Sequence, residues 1–330
     1  MSHSVGTRAG FGLALLSAAT FSTSGSFARS LSDAGWSTAA AVVARVSIAA
    51  LVLAVPSVLA LRGRWPQVRR NAGLVALYGL IAVAGCQVFF FNAVQHLSVG
   101  VALLLEYMGT VLVVLWMWAR HGHKPRRLTV AGSIVAIVGL ALVLDLAGDS
   151  HLDAVGVLWA LGAAVGLAAF FVLSSGGGDD LPPVAFACGG MTVGALALLG
   201  LAALGVLPLH ARFGEVVFAG HRTSWLVPVA GLSLVAAAIA YVVGIAATRR
   251  LGAKLASFVG LTEVIFAVLF AWLALGELPT AIQLVGGLLI VAGIALVRVD
   301  ELRPTVGAAP AIDPAADPEL AMPAAPQVAQ

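Results

Sequence analysis

The sequence predicts an all-α integral membrane protein of ten transmembrane helices, arranged as two inverted five-helix repeats. Three observations carry that expectation. Hydrophobic residues fill 61% of the 330 positions and charged residues 10%, too little polar surface to cover a soluble globule. Ten apolar stretches reach the roughly 20 residues that a spanning helix needs. One stretch also recurs: Val130 to Leu144 reads VAGSIVAIVGLALVL and Leu284 to Arg298 reads LVGGLLIVAGIALVR. Without gaps, Gly132, Gly139, Ala141, Leu142 and Val143 fall on Gly286, Gly293, Ala295, Leu296 and Val297.

The first expected span, residues 9–30, follows Arg8. It is longer than the apolar core of a signal peptide and holds Thr20, Ser22, Thr23, Ser24 and Ser26, so it is read as a helix of the fold. Spans at 38–61, 71–95, 99–119 and 128–147 complete the first half, the fourth ending on Trp116 and Trp118 as interface anchors. The second half runs through 154–174, 183–207, 224–248, 251–275 and 279–298. Leu, Ala and Val dominate throughout, with no alternation of ten-residue strands, which excludes a β-barrel reading. The thirty-seven glycines suit close helix packing in lipid.

Lys and Arg bias orients the chain. With the N-terminus inside, the cytoplasmic side gathers Arg8, Arg62, Arg64, Arg69, Arg70, Arg120, Lys124, Arg126, Arg127, Arg249, Arg250, Lys254, Arg298 and Arg303. The outer side keeps Arg29, Arg212 and Arg222 beside Asp145, Asp149, Asp153 and Glu215, so both termini are expected in the cytoplasm. Five spans per half is an odd number, which turns the second half upside down relative to the first. The expected units are residues 1–147, residues 148–303 and a Pro/Ala-rich disordered tail at 304–330. Membrane proteins built from two such halves place a substrate path at the interface between them.

Several chemistries find no support. The net charge of +3 is spread over short loops, which argues against nucleic acid as a partner. Cys86 and Cys188 lie far apart inside apolar segments and read as packing residues. His121 and His123 sit among cations with no carboxylate to complete a metal shell, and His151 with Asp153 is equally bare. The connector Ser174 to Pro183, SSGGGDDLPP, lacks the Gly-Lys-Ser/Thr ending of a phosphate loop. No cofactor or metal is therefore expected.

The chain resembles the EamA-type branch of the drug/metabolite transporter superfamily over about residues 9–300. The resemblance rests on Arg45 within Val43 to Leu51, on Leu261-Thr-Glu-Val-Ile-Phe through Glu277, and on Gly286 to Leu296. It implies an exporter or exchanger of small polar metabolites, amino acids among them, with a central cavity between the halves and no ATP site. Two departures stand out: Ala119-Arg120 replaces the Gly-Glu pair that often ends the fourth helix, and Val264 replaces the proline after the ninth-helix glutamate. In the second half, Met191 takes the place corresponding to Arg45.

A charge at a helix centre costs about 2.5–3.5 kcal/mol on insertion scales, so each one needs a partner or a wet cavity. Arg45, Glu106 and Glu263 stand well inside expected spans. Arg45 and Glu106 each lie roughly 10–12 Å from an outer helix start, which allows an ion pair, and inverted symmetry makes Glu263 the counterpart of Glu106. Two readings stand for these groups: proton coupling or recognition of a substrate amine and carboxylate, and a fixed ion pair beside a glutamate bonded to neighbours such as Thr262. Ser24 of the hydroxyl cluster, Gln87 deep in the third span, and Tyr107, Trp159 and Tyr241 are the further candidates for lining a path. Hydroxyls also satisfy themselves on their own helix, and membrane aromatics also serve as packing. Tyr78 and Asn92 share the third span with Gln87.

The expected function is alternating-access export of a small polar or amphipathic metabolite across a bacterial cytoplasmic membrane, with protons as a possible coupling partner. Its rivals are a membrane-embedded lipid-modifying enzyme, which needs His, Asp or Glu clustered at one face, and a non-transporting scaffold, which needs no buried polar cavity.

Overall fold

The structure is a computed structural model describing residues 2–97, 99–122, 125–144, 153–176, 181–275 and 280–302. The tail 304–330, connector residues 177–180, His123, His151, Lys124, Asp145, Asp149, Glu277, Arg303 and the side chain of His121 lie outside the description.

Among the described residues the chain is almost entirely helical. The first part comprises α1 Ser2–Ser22, α2 Ser24–Asp33, α3 Thr38–Ala60, α4 Trp65–Arg70, α5 Ala72–Leu77, a π-helical segment Tyr78–Gly85, α6 Cys86–His96, α7 Val99–Tyr107, α8 Gly109–His121 and α9 Arg127–Val143. The second comprises α10 Ala154–Gly176, α11 Pro183–Ala203, strands β1 Glu215–Phe218 and β2 His221–Ser224, α12 Leu226–Ala230, a second π segment Gly231–Ile239, α13 Ala240–Gly260, α14 Thr262–Leu275 and α15 Ala281–Leu302. Eight of the resulting continuous helices are long and apolar enough to cross a membrane, and α9 is a shorter apolar helix. Leu51, Leu158 and Leu288 are at least 70% exposed, the outward apolar surface of a protein whose solvent on that side is lipid. This is a multi-pass membrane protein.

The breaks between helices have local causes. Ser37 caps α3: its Oγ accepts from the Ala40 amide at 3.2 Å and donates to the Pro208 carbonyl at 2.7 Å. Leu226–Gly260 is one apolar run, yet Gly252 bends it with φ 78° and ψ 160°, a conformation that a side chain would strain. Inside α7–α8 and α13–α14 the helix tightens to i−3 bonds, Met108 amide to Leu105 carbonyl at 3.1 Å in the first, Leu261 amide to Phe258 carbonyl at 3.1 Å and Val264 amide to Leu261 carbonyl at 3.2 Å in the second.

The sequence reading held no strands; the structure adds a short antiparallel hairpin, turning on Ala219 and Gly220, both at positive φ. Aromatic side chains explain its place. Phe218 stacks on Phe27 of α2 at 5.0 Å between ring centres, while Trp36 and Trp225, tilted 31° to each other, both meet Phe213 edge to face. Phe27 in turn fills the space that a side chain at Gly231 would occupy.

The repeated glycines meet each other. A methyl group on Gly139 would come within 2.6 Å of the Gly286 carbonyl oxygen, and one on Gly286 within 2.6 Å of the Gly139 carbonyl oxygen. Gly132 and Gly293 oppose each other likewise, at 2.8 and 2.6 Å. So α9 and α15 run antiparallel with their backbones in contact. The same displacement of 154 residues that carries Gly132 to Gly286 carries the first π segment onto residues 232–239, within the second. Gly156 likewise receives His96 and Leu97, as Gly10 receives Arg250 and Leu251.

Because backbone atoms oppose these glycines, the contact cannot yield cheaply. Gly139→Ala and Gly286→Ala are expected to lower stability by about 1–3 kcal/mol each. Gly200→Ala, at an exposed helical site with open space around it, should be neutral or slightly stabilising. Thermal unfolding of the purified proteins in detergent checks the contrast.

Candidate functional site

A cavity of about 210 Å³ lies among the helices. Its walls come from α1, α2, α3, the first π segment, α6, α7, α10, α13 and α14, so both parts of the chain contribute. Of the residues singled out in the sequence, Ser24, Arg45, Gln87, Glu106, Tyr107, Tyr241 and Glu263 line it. Trp159 does not: it packs on Phe89 at 5.7 Å. It lies eight residues before Leu167, the nearest wall residue on α10, or about 12 Å along that helix.

Arg45 departs from expectation. Its guanidinium donates from one terminal nitrogen to the Ala236 carbonyl at 2.7 Å, inside the second π segment, and lies 5.8 Å from the Phe21 ring centre. No carboxylate of the described residues comes within 4.0 Å of it, so the ion pair with Glu106 is replaced by a bond to backbone. It lines the same cavity as Glu106 and Glu263.

The carboxylates sit at the helix breaks. Glu106 is two residues before Met108 and accepts from the Cys86 thiol at 3.3 Å. Glu263 is two residues after Leu261 and faces the Tyr107 hydroxyl. Thr262 turns away from it and donates to the Val259 carbonyl at 2.7 Å, so the expected Thr262 bond to Glu263 is absent. Nor are the glutamates counterparts in the 154-residue register, which carries Glu106 to Gly260 and Glu263 to Gly109. In that register a glutamate and a glycine three positions apart have exchanged places. Both glycines are crowded: a methyl on Gly109 would meet the Ala164 carbonyl at 2.7 Å, and one on Gly260 the Phe171 ring at 3.1 Å.

The aromatic wall is an assembly. Phe21, Phe170 and Tyr241 contact one another with ring centres 5.0–6.4 Å apart, and Phe171 joins edge-on to Phe170. Such rings give a rigid apolar surface with specific edge-to-face geometry. Most hydroxyls of the first span satisfy themselves: Thr20, Ser22 and Thr23 donate to carbonyls three or four residues back. Ser17 instead crosses to the Ala240 carbonyl at 2.9 Å. Asn92 bonds its own helix, and Tyr78 is fully buried against Phe186 and Gly190.

Cys86 was missed, having been read as packing. It lines the cavity because the π segment ends there, with the Cys86 amide bonded to the Ile81 carbonyl five residues back. That extra residue per turn shifts the helical phase, so an α-helical wheel drawn through this span misplaces it. Ser17, Phe170, Phe171 and Thr248 also escaped, since nothing in an apolar run marks which face meets a cavity.

A multi-helix membrane protein enclosing a small cavity with one cation, two carboxylates and an aromatic wall has the make-up of a small-molecule carrier. Comparison with known proteins agrees: the EamA-like transporter family matches residues 8–145 and 154–299, and the chain belongs to that family, whose members are transporters and not enzymes. The threonine/homoserine exporter RhtA of Escherichia coli (strain K12) is 27% identical over 211 residues, 63% of this chain and 64% of that protein, so the match spans just under two thirds of the relative. A probable terminal-alkyne amino-acid exporter of Streptantibioticus cattleyicolor is 29% identical over 268 residues, 80% of this chain and 85% of that protein. A solved crystal structure shares the fold with a TM-score of 0.70 at 21% identity, covering 90% of this chain and 97% of the other.

Side-chain placement predicts solvent access. With both native cysteines replaced by serine, Ser24→Cys and Gln87→Cys should react with a water-borne methanethiosulfonate reagent, and Trp159→Cys should stay unlabelled. Mass spectrometry of the intact protein reads the difference.

Proposed function

We propose that this protein is a secondary transporter that exports a small zwitterionic metabolite of amino-acid type by alternating access. The observation that carries the proposal is the cavity, where Arg45 lies apart from Glu106 and Glu263 with aromatic rings beside them. A ligand carboxylate suits the arginine, a ligand ammonium suits either glutamate, and an apolar side chain suits the rings. The volume of about 210 Å³ falls below the roughly 300–1,000 Å³ of drug-sized sites, which favours a small metabolite. The relatives named as exporters of threonine, homoserine and a terminal-alkyne amino acid support the same class and the outward direction.

The architecture proposed for this activity is ten spans in two five-helix halves of inverted topology, residues 1–147 and 148–303. It counts α9 as a span and divides Leu226–Gly260 at the Gly252 bend, the part after the bend joining α14 as one span. The shared 154-residue displacement of glycines and π segments supports it, as do the two stretches of family similarity. In this reading both termini face the cytoplasm of a bacterial cell, with 304–330 a cytoplasmic tail. The α9–α15 contact is the pivot about which the halves rock. Protons couple through Glu106 and Glu263, partly buried carboxylates of the cavity wall within membrane-spanning helices, where an ionised group calls for a proton, a ligand ammonium or a nearby cation. A non-transporting scaffold would have no use for three charged groups around one cavity.

The test is efflux from proteoliposomes loaded with threonine, homoserine and a mixed metabolite extract, read by mass spectrometry with and without an imposed pH gradient. Wild-type protein is expected to release amino acids selectively and faster with the gradient. Loss of a charged hydrogen bond predicts at least a tenfold fall for Glu106→Gln and Glu263→Gln. Efflux and gradient response retained in both variants would remove the coupling mechanism, and absence of selective release by folded wild-type protein would remove the substrate class.

A further inference from the structure

We infer that Cys86 is a positioning residue for substrate recognition, holding the Glu106 carboxylate toward the cavity to receive the ammonium end of a zwitterion. This role rests on the transporter reading proposed above. Among the described residues, the thiol is the one hydrogen-bond donor to Glu106, at 3.3 Å, with a longer contact of 3.6 Å to the Ala163 carbonyl. A thiol donates weakly, and a carboxylate offers about four acceptor positions, so the contact orients the group while leaving most of its capacity for a ligand.

The fold makes room for this contact. The π segment delivers Cys86 to the cavity wall, and a methyl group on Gly166 of α10 would come 2.6 Å from the Cys86 Cβ. A side chain at Gly166 would push α6 and α10 apart. A second observation points to the same ligand from the other side. Arg45 is 9% exposed and lines the cavity, and its Nε has no hydrogen-bond partner among the described residues. The cavity wall therefore holds an acceptor with spare capacity and a guanidinium whose hydrogen bonding is incomplete, the two chemistries that the ends of one zwitterion need. The other cysteine, Cys188, faces the Ala50 carbonyl away from the cavity, so Cys188→Ser leaves a single thiol at the site of interest.

The experiment has two arms, both on full-length protein in proteoliposomes in the Cys188→Ser background. In the first, alkylation of Cys86 by N-ethylmaleimide is followed by mass spectrometry. The reaction is run at pH 8.5, where ionised Glu106 repels the thiolate through which alkylation proceeds. Adding Glu106→Gln should therefore raise the rate at least threefold, and adding Glu263→Gln should leave it within twofold. In the second, threonine efflux is measured: Cys86→Ala should raise KM at least threefold with Vmax within twofold, and Cys86→Ser should return KM to within twofold of the parent. Equal alkylation rates with and without Glu106→Gln would overturn the contact without reference to transport. Intact efflux with unchanged KM in Cys86→Ala would overturn the positioning role alone. Absence of efflux from the parent protein would overturn the substrate reading and this role together, while the alkylation arm still judges the contact.

Discussion

An arginine buried among hydrocarbon and helices has to find an acceptor, and Arg45 finds the Ala236 carbonyl. The chemistry of the cavity depends on that choice. Had the guanidinium closed on a carboxylate, the pair would have neutralised itself, and breaking it to admit a ligand would have carried the cost of a bare buried charge. Bonded to backbone, it keeps its positive field in the cavity while Glu106 and Glu263 keep their acceptor capacity. The same bond ties α3 to a helix nearly two hundred residues later in the chain, so the charge that polarises the site also joins its walls.

The backbone around the cavity is irregular where the side chains matter. Two π segments, the Gly252 bend and the tightened turns at Met108 and Leu261 all lie on helices that line or adjoin it. Irregular backbone survives in a membrane only where protein or a wet cavity can satisfy it, and here the carbonyl of Ala236 is satisfied by an arginine. By contrast, α9 and α15 are regular helices held face to face by glycines, and neither touches the cavity. The molecule thus separates a stiff pair of helices from a set that carries the breaks.

The reading from sequence followed the same physics unevenly. Apolar length is a strong signal in lipid, so helix positions were legible, and charged residues within those lengths pointed to a buried site because lipid penalises them. Arg45, Glu106 and Glu263 could be found this way without knowing which helices touch. Their partners could not. The Arg45 bond goes to a main-chain atom, which has no identity in the sequence, and Cys86 reaches the cavity through a change of helical phase that no apolar pattern records. Trp159 failed for a related reason: depth along α10, not residue type, decides whether it meets the cavity. The hairpin at Glu215–Ser224 was hidden in a stretch read only as a loop, and its aromatic contacts with α2 appear only once the helices are assembled.

The glycine contact between α9 and α15 is self-complementary. Gly132 meets Gly293 while Gly139 meets Gly286, and each member of a pair presses on the other's carbonyl. This is the geometry of an isologous interface, in which one patch on a subunit recognises the same patch on its twin. A surface that recognises itself is coded twice in the chain, so a change to the glycine pattern on either helix spoils the fit on both sides at once. The two stretches can therefore vary only together where they touch, while the helices around the cavity carry no such mutual constraint.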